Sequence, residues 1–213
     1  MLDARLLKCA EYIQGSAVCD VGTDHGQLPV YLIRNKLCQK VIACDIRPKP
    51  LEAARQNITK TGLTEQIQTI LSDGLQMIPD ACLTDIVIAG MGGETMIHIL
   101  ETCPWSLEQK TLILQPMTKH EILRKWLYEN GYAILQETCV PDGHFLYAIM
   151  QVIYTGQPVK PDDLQIYFGK MSLTDPDGRA YAEHILTQLR KIRDGRQDMA
   201  LSKTIDLLEG ALL

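Results

Sequence analysis

No apolar run in this chain approaches the ~20 residues that a bilayer-crossing helix needs, so an integral helical membrane protein is not expected. The amino terminus, Met1-Leu2-Asp3-Ala4-Arg5, lacks the pattern of a secretory signal. No C-x-x-C pair occurs among the seven cysteines (9, 19, 38, 44, 82, 103 and 139), which are odd in number and scattered. Several lie in apolar stretches, where cysteine packs as a small hydrophobe, and a reducing cytoplasm is the expected setting. Positive charge is in deficit. The net charge of −5 builds in no long-range steering towards a polyanion, so any contact with nucleic acid has to come from a local basic face. Internal repeats and low-complexity tracts are missing too.

What is present is enough for one α/β domain of roughly 150 residues and a small further module. Leu2, Leu6, Ala10 and Ile13 recur at helical spacing. Short apolar runs then alternate with helical patterns. The expected strands are 17–21, 41–45, 67–71, 85–89 and 111–114, and the helices lie around Leu28 to Leu32, 50–61, 95–102 and 119–130. Gly62 and Gly131 stop two of these helices. That alternation argues for a parallel sheet covered on both faces. The rhythm then changes: 132–140 and 145–154 are long strand-like runs joined by Pro141-Asp142-Gly143-His144, a hairpin signal. Five α/β repeats closed by an antiparallel hairpin make seven strands, a count and order that resemble the Rossmann-like methyltransferase fold, which is the expected fold. After a linker at Thr155-Gly156-Gln157-Pro158, two apolar stripes follow: Ile185, Leu189, Ile192, then Leu201, Ile205, Leu208, Leu212. They read as a helical hairpin or one interrupted helix, with Gly195 as the candidate break. The stripe packs on the main domain or forms a protruding coiled-coil-like arm. The expected division is a Rossmann-like domain over 1–154 and a helical arm over 155–213.

The chemistry concentrates at strand ends, where ligands sit in open α/β sheets. The first strand runs into Asp20-Val21-Gly22-Thr23-Asp24-His25-Gly26. The G-x-G-x-x-G spacing that cradles a pyrophosphate is absent, which disfavours an NAD-dependent oxidoreductase. Carboxylates at that turn would repel a pyrophosphate but suit a ligand carrying an ammonium and a sulfonium. The second strand ends in Asp45, followed by Ile46, where an acid accepts from both ribose hydroxyls. The third ends in Ser72-Asp73-Gly74, placing a short carboxylate near an adenine amine. The fourth ends in Gly90-Met91-Gly92-Gly93, a glycine cluster that lets backbone approach a ligand closely, with Met91 as a wall. Each turn also has an ordinary structural reading as a helix cap or tight turn. Three acids and a glycine cluster at four successive strand ends are much harder to obtain by chance.

The strings DVGTDHGQLP (20–29), ACDIRPKPLEAARQN (43–57), SDGL (72–75), IVIAGMGGETMIHIL (86–100) and LILQPM (112–117) resemble the TrmK family. Its members methylate N1 of adenine 22 in the tRNA D-arm with S-adenosylmethionine. The resemblance covers about residues 1–154, and a helical C-terminal arm is also a family trait. Met117 departs from the pattern, standing where the family has Asn. The resemblance places Asp20, Gly22, Asp24 and His25 around the methionine end of the cofactor and Asp45 with Ile46 at the ribose. It places Asp73 and Gly74 at the adenine and Gly90, Met91 and Gly92 beside the transferred methyl.

Adenine N1 has a free lone pair at neutral pH, so such a reaction needs alignment rather than a base. The candidate catalytic residues are Asp24, accepting from the adenine N6 amine, and His25, touching the base or orienting Asp24. Carbonyls of the Gly90–Gly93 turn are rival acceptors. The expected partner is tRNA, with no membrane and no metal required, and the protein itself is expected to be a monomer or weak dimer. Between 179 and 203, Arg179, Arg190, Lys191, Arg193, Arg196 and Lys203 outnumber Glu183, Asp194 and Asp198, so the arm is a candidate RNA grip. The alternatives are a methyltransferase of the same fold acting on a small metabolite or a protein, and a non-catalytic adenosylmethionine- or RNA-binding module.

Overall fold

The computed structural model describes residues 2–80, 83–196 and 200–212, apart from the side chains of Arg196 and Ala200. Cys82 and Asp198 lie outside the described residues. The chain runs α1 (Ala4–Glu11), β1 (Ala17–Val21), α2 (Gln27–Arg34), β2 (Lys40–Asp45), α3 (Pro48–Thr61), β3 (Ile67–Leu71), β4 (Asp85–Gly92), α4 (Gly93–Glu101), β5 (Thr111–Thr118), α5 (His120–Glu129), β6 (Tyr132–Asp142), β7 (Phe145–Tyr154), α6 (Asp163–Tyr167), α7 (Pro176–Arg196) and α8 (Ala200–Leu212).

The seven strands form one sheet in the order β3-β2-β1-β4-β5-β7-β6. β1 to β5 are parallel, and β7 alone runs opposite to the other six strands, pairing antiparallel with β5 on one side and β6 on the other. The chain order reverses between β1 and β4, so a crevice opens where helices leave for opposite faces. The central strands are buried on both faces and accordingly read as unbroken apolar runs, such as Ile86-Val87-Ile88-Ala89.

One buried cluster joins α1, α2 and α3 to the sheet through Cys9, Leu28, Leu32, Ala54, Ile58, Val87 and Ile113. The other joins α4, α5 and the C-terminal helices through Met96, Leu123, Leu127, Leu114, Met150, Tyr181, Leu189 and Ile205. Removing a large apolar side chain from either costs about 2–5 kcal/mol.

The strand and helix positions expected from the sequence recur to within about two residues at most element ends, with three larger differences. β4 and β5 continue past Ala89 and Leu114, carried through their glycine and proline by register shifts between Ala89, Met91 and Gly92. Gly195 lies inside α7 and does not separate the two long helices. A short helix, α6, precedes them, started by Asp162, whose side chain accepts from Gln165 N while Gln165 bonds back.

Candidate active site

Two adjoining cavities open at the carboxyl edge of β1, β2, β3 and β4, with volumes of about 430 and 170 Å³. They share Arg5, Gly22, Asp24 and Ala89. Every candidate cofactor residue except Gly92 lines one of them: Asp20 and His25 the smaller, Asp45, Ile46, Asp73, Gly74, Gly90 and Met91 the larger, Gly22 and Asp24 both.

The β1 turn folds over β2 because the N–H groups of Gly22 and Thr23 both donate to the Cys44 carbonyl, at 2.8 and 2.9 Å. Gly22 has φ +78°, and a Cβ there would run into the terminal methyl of Met91. Only glycine permits both this backbone and this proximity. Asp24 follows at φ 51°, a left-handed conformation that a short acid tolerates. Its Oδ2 lies 3.6 Å from His25 Nε2, and both side chains are more than half exposed. Asp20 is buried, and burial pushes its carboxyl up to about 6. The Thr23 side chain pulls it down, and the negative Asp45 raises it further. A cation entering the smaller cavity would reverse that shift.

At the next strand end Asp45 is also buried, its Oδ1 accepting the Arg47 N–H at 2.8 Å. Asp45 O accepts the Ser72 N–H, joining the ends of β2 and β3. Ser72 Oγ donates to Gly74 O at 2.8 Å and accepts the Met77 N–H at 3.1 Å, which closes the turn around the exposed Asp73.

The β4 turn is held by two residues that sequence reasoning did not select. Gln115, fully buried on β5, accepts at Oε1 both the Gly90 N–H (3.0 Å) and Arg5 Nη1 (2.7 Å). Its Nε2 donates to Pro116 O and approaches Met117 Sδ at 3.6 Å. Gly90 has φ +78°, and a Cβ there would stand 3.0 Å from Arg5 Nη1. Arg5 thus ties α1 to the turn while lining both cavities. The only signal for Gln115 was a polar residue inside an apolar strand; for Arg5, a helix whose apolar stripe alone was read. Met117, where the sequence departs from the family pattern, is 42% exposed at the end of β5. Just beyond it burial drives the His120 imidazole down to about 4, assisted by the Arg124 cation and opposed by a hydrogen bond to the Pro116 backbone. His120 is therefore neutral at pH 7.

A family model described as a methyltransferase domain matches residues 2–150. The tRNA (adenine(22)-N(1))-methyltransferase of Bacillus subtilis is 36% identical over 151 residues, 70% of this chain and 63% of that protein. The chain therefore aligns with a little under two thirds of that relative's length. Two solved structures match throughout. Streptococcus pneumoniae Sp1610, a putative tRNA (m1A22) methyltransferase in complex with S-adenosyl-L-methionine, superposes with a TM-score of 0.87 at 28% identity, covering 100% of both chains. M. capricolum TrmK, in complex with S-adenosyl-homocysteine, gives a TM-score of 0.82 at 29% identity, covering 100% of this chain and 98% of its own. The chain belongs to the methyltransferase-domain family, and along its whole length it is similar to solved TrmK enzymes.

Proposed function

We propose that this protein transfers a methyl group from S-adenosylmethionine to N1 of adenine 22 in the D-arm of tRNA. The observation that carries the reading is the pair of buried acids, Asp20 and Asp45, set beside the Gly22 and Gly90 turns in one continuous crevice. The crevice suits the cofactor chemically. Its larger part, about 430 Å³, is within the range of small-molecule sites, and the missing Cβ of Gly22 lets the Met91 methyl reach the junction of the two cavities.

In this reading Asp20, Asp24 and His25 hold the methionine end, Asp45 and Ile46 the ribose, and Asp73 with Gly74 the adenine. Bound S-adenosylmethionine supplies an electrophilic methyl on a sulfonium. The chain's residues align the acceptor and meet the charge that develops on it. Gly90 and Met91 form the wall beside the transferred methyl, with Gly92 behind them outside the cavity lining, and near-attack alignment of this kind lowers a barrier by roughly 7–11 kcal/mol. Asp24 accepts from the N6 amine as the base becomes cationic, with Gly90–Gly93 carbonyls as further acceptors. His25 orients Asp24. No proton needs to be removed from N1.

Residues 155–213 act as an arm that grips RNA phosphates, and a tRNA substrate puts the protein in the cytoplasm. Among the described residues no helix is long and apolar enough to cross a membrane, and no group of three His, Cys, Asp or Glu is placed to hold a metal. The test is incubation of undermodified tRNA with protein and S-adenosylmethionine, followed by mass-spectrometric mapping of the modified nucleoside. 1-Methyladenine at position 22 is expected; methyl transfer to protein or metabolite fractions alone would displace this reading.

A further inference from the structure

The β6–β7 hairpin places aromatic rings at the same edge of the sheet as the crevice. β7 runs antiparallel to β5 with Leu114 opposite Met150. Stepping back from Met150 to Phe145 therefore follows β5 forward past Gln115 towards Thr118. Side chains alternate along a strand. Phe145, Tyr147, Ile149 and Gln151 thus share one face, and it is the α1 face: Gln151 Nε2 donates to Tyr12 O, and Ile149 belongs to the cluster built with α1. On that face Phe145 and Tyr147 stack with ring centroids 5.9 Å apart and planes 21° from parallel. The Arg5 guanidinium lies 5.9 Å from the Tyr147 ring centre. Arg5 in turn borders both cavities. The result is a continuous row, Phe145–Tyr147–Arg5, leading from the hairpin tip to the crevice. Phe145 is 64% exposed and, among the described residues, belongs to neither buried cluster, so core packing does not account for it.

We propose that Phe145 and Tyr147, capped by Arg5, form a ledge on which a base flanking the target adenine stacks. The proposal rests on the tRNA methylation reading. An adenine whose N1 reacts has to leave its stack and pair, and its neighbour on the strand loses a stacking partner. An aromatic ring pair replaces that partner for any base, since every base has a π face, and the arginine at the end of the row, held in place by Asp3 Oδ2 at 3.1 Å and by Gln115, adds cation–π attraction. An apolar peptide would find rings but no use for the cation. Phe145 and Tyr147 are positioning residues, distinct from the groups that touch the methyl donor.

Phe145→Ala is expected to raise KM for tRNA about tenfold, with the loss falling on KM rather than kcat and with S-adenosylmethionine affinity at the wild-type value. Phe145→Trp should restore KM. A direct readout is 2-aminopurine placed on each side of the target in turn: wild-type protein should quench one of the two, and Phe145→Ala should not. Wild-type KM and wild-type quenching in Phe145→Ala, in a protein that methylates tRNA, would overturn the ledge and leave the methylation reading standing. Failure of the wild-type protein to methylate tRNA would remove both.

Discussion

Asp20 is the residue whose environment most directly links structure to ligand. Its carboxyl sits near 6, against an ordinary 3.8, because folding buries it. Between about pH 4 and 6 the folded protein therefore binds more protons at this site than the unfolded chain does. Its contribution to stability is fully present below about pH 4 and is lost as pH rises through 6. A cationic ligand inverts the preference, since it needs the ionised form. Affinity for S-adenosylmethionine, measured by calorimetry, should rise from pH 5 to 7 by about tenfold, and Asp20→Asn should weaken binding and flatten that profile. Asp45→Ala, which removes the proposed acceptor for ribose hydroxyls, should weaken cofactor affinity by about 1.5–3 kcal/mol while leaving the melting temperature close to wild type. Both acids were visible in the sequence because each stands at or next to the carboxyl end of an otherwise apolar run, and further acid and glycine signals follow at the next strand ends. Arg5 and Gln115 were not, because their pairing joins residues 110 positions apart and no local pattern encodes such a contact.

Among elements, α5, β6, α6 and α7 meet at one fully buried ion pair. Arg124 places Nε (3.0 Å) and Nη2 (2.6 Å) on Glu137 Oε1, Nη1 on the carbonyls of Ile166 and Tyr167, and Nη2 again on Tyr181 Oη. Glu137 Oε2 accepts the Lys170 N–H. A buried guanidinium is tolerable only when its donors are satisfied, and this one finds its partners on three elements. Glu137→Ala should strand that charge and cost about 3–5 kcal/mol in denaturant unfolding. Arg124→Met combined with Glu137→Leu should cost clearly less than either change alone would imply. The partnership was invisible in the sequence, where Arg124 reads as one more polar position on an amphipathic helix. α6 escaped for a different reason: five residues are too few to show a period, and only its capping residues, Asp162 and Gln165, marked it.

For the molecule as a whole, folding redistributes the charge of the arm. Three of its cations are paired in the structure, Arg179 with Glu183, Arg190 with Glu209 and Arg193 with Asp194. Glu209 lies beyond the stretch whose composition looked basic, and α8 brings it back against α7. Lys191 and Lys203 remain exposed, without an ion pair among the described residues. Replacing both by Gln should weaken tRNA binding and reduce the dependence of log affinity on log salt by about two. An unchanged slope would take the arm out of RNA binding. Charge removal is a cleaner test than deleting the arm, because Tyr181, Ala182, Leu186 and Leu189 are buried in the same cluster as β6 and α5. Whether the apolar stripe protrudes or packs was open in the sequence; its base packs, while Ile192, further along α7, is 41% exposed.

The order of strands and helices, the closing hairpin and the acids at successive strand ends were determined by the sequence alone. Periodicity, turn chemistry and a misplaced charge are local signals, and this chain states them clearly. Tertiary structure alone decided what those ends meet. The β4 turn hangs from Gln115 and Arg5, the arm is anchored on Arg124, and Tyr147 stands beside Arg5 at the crevice. Each depends on distant parts of the chain being brought within hydrogen-bonding or van der Waals range, which composition and spacing do not specify.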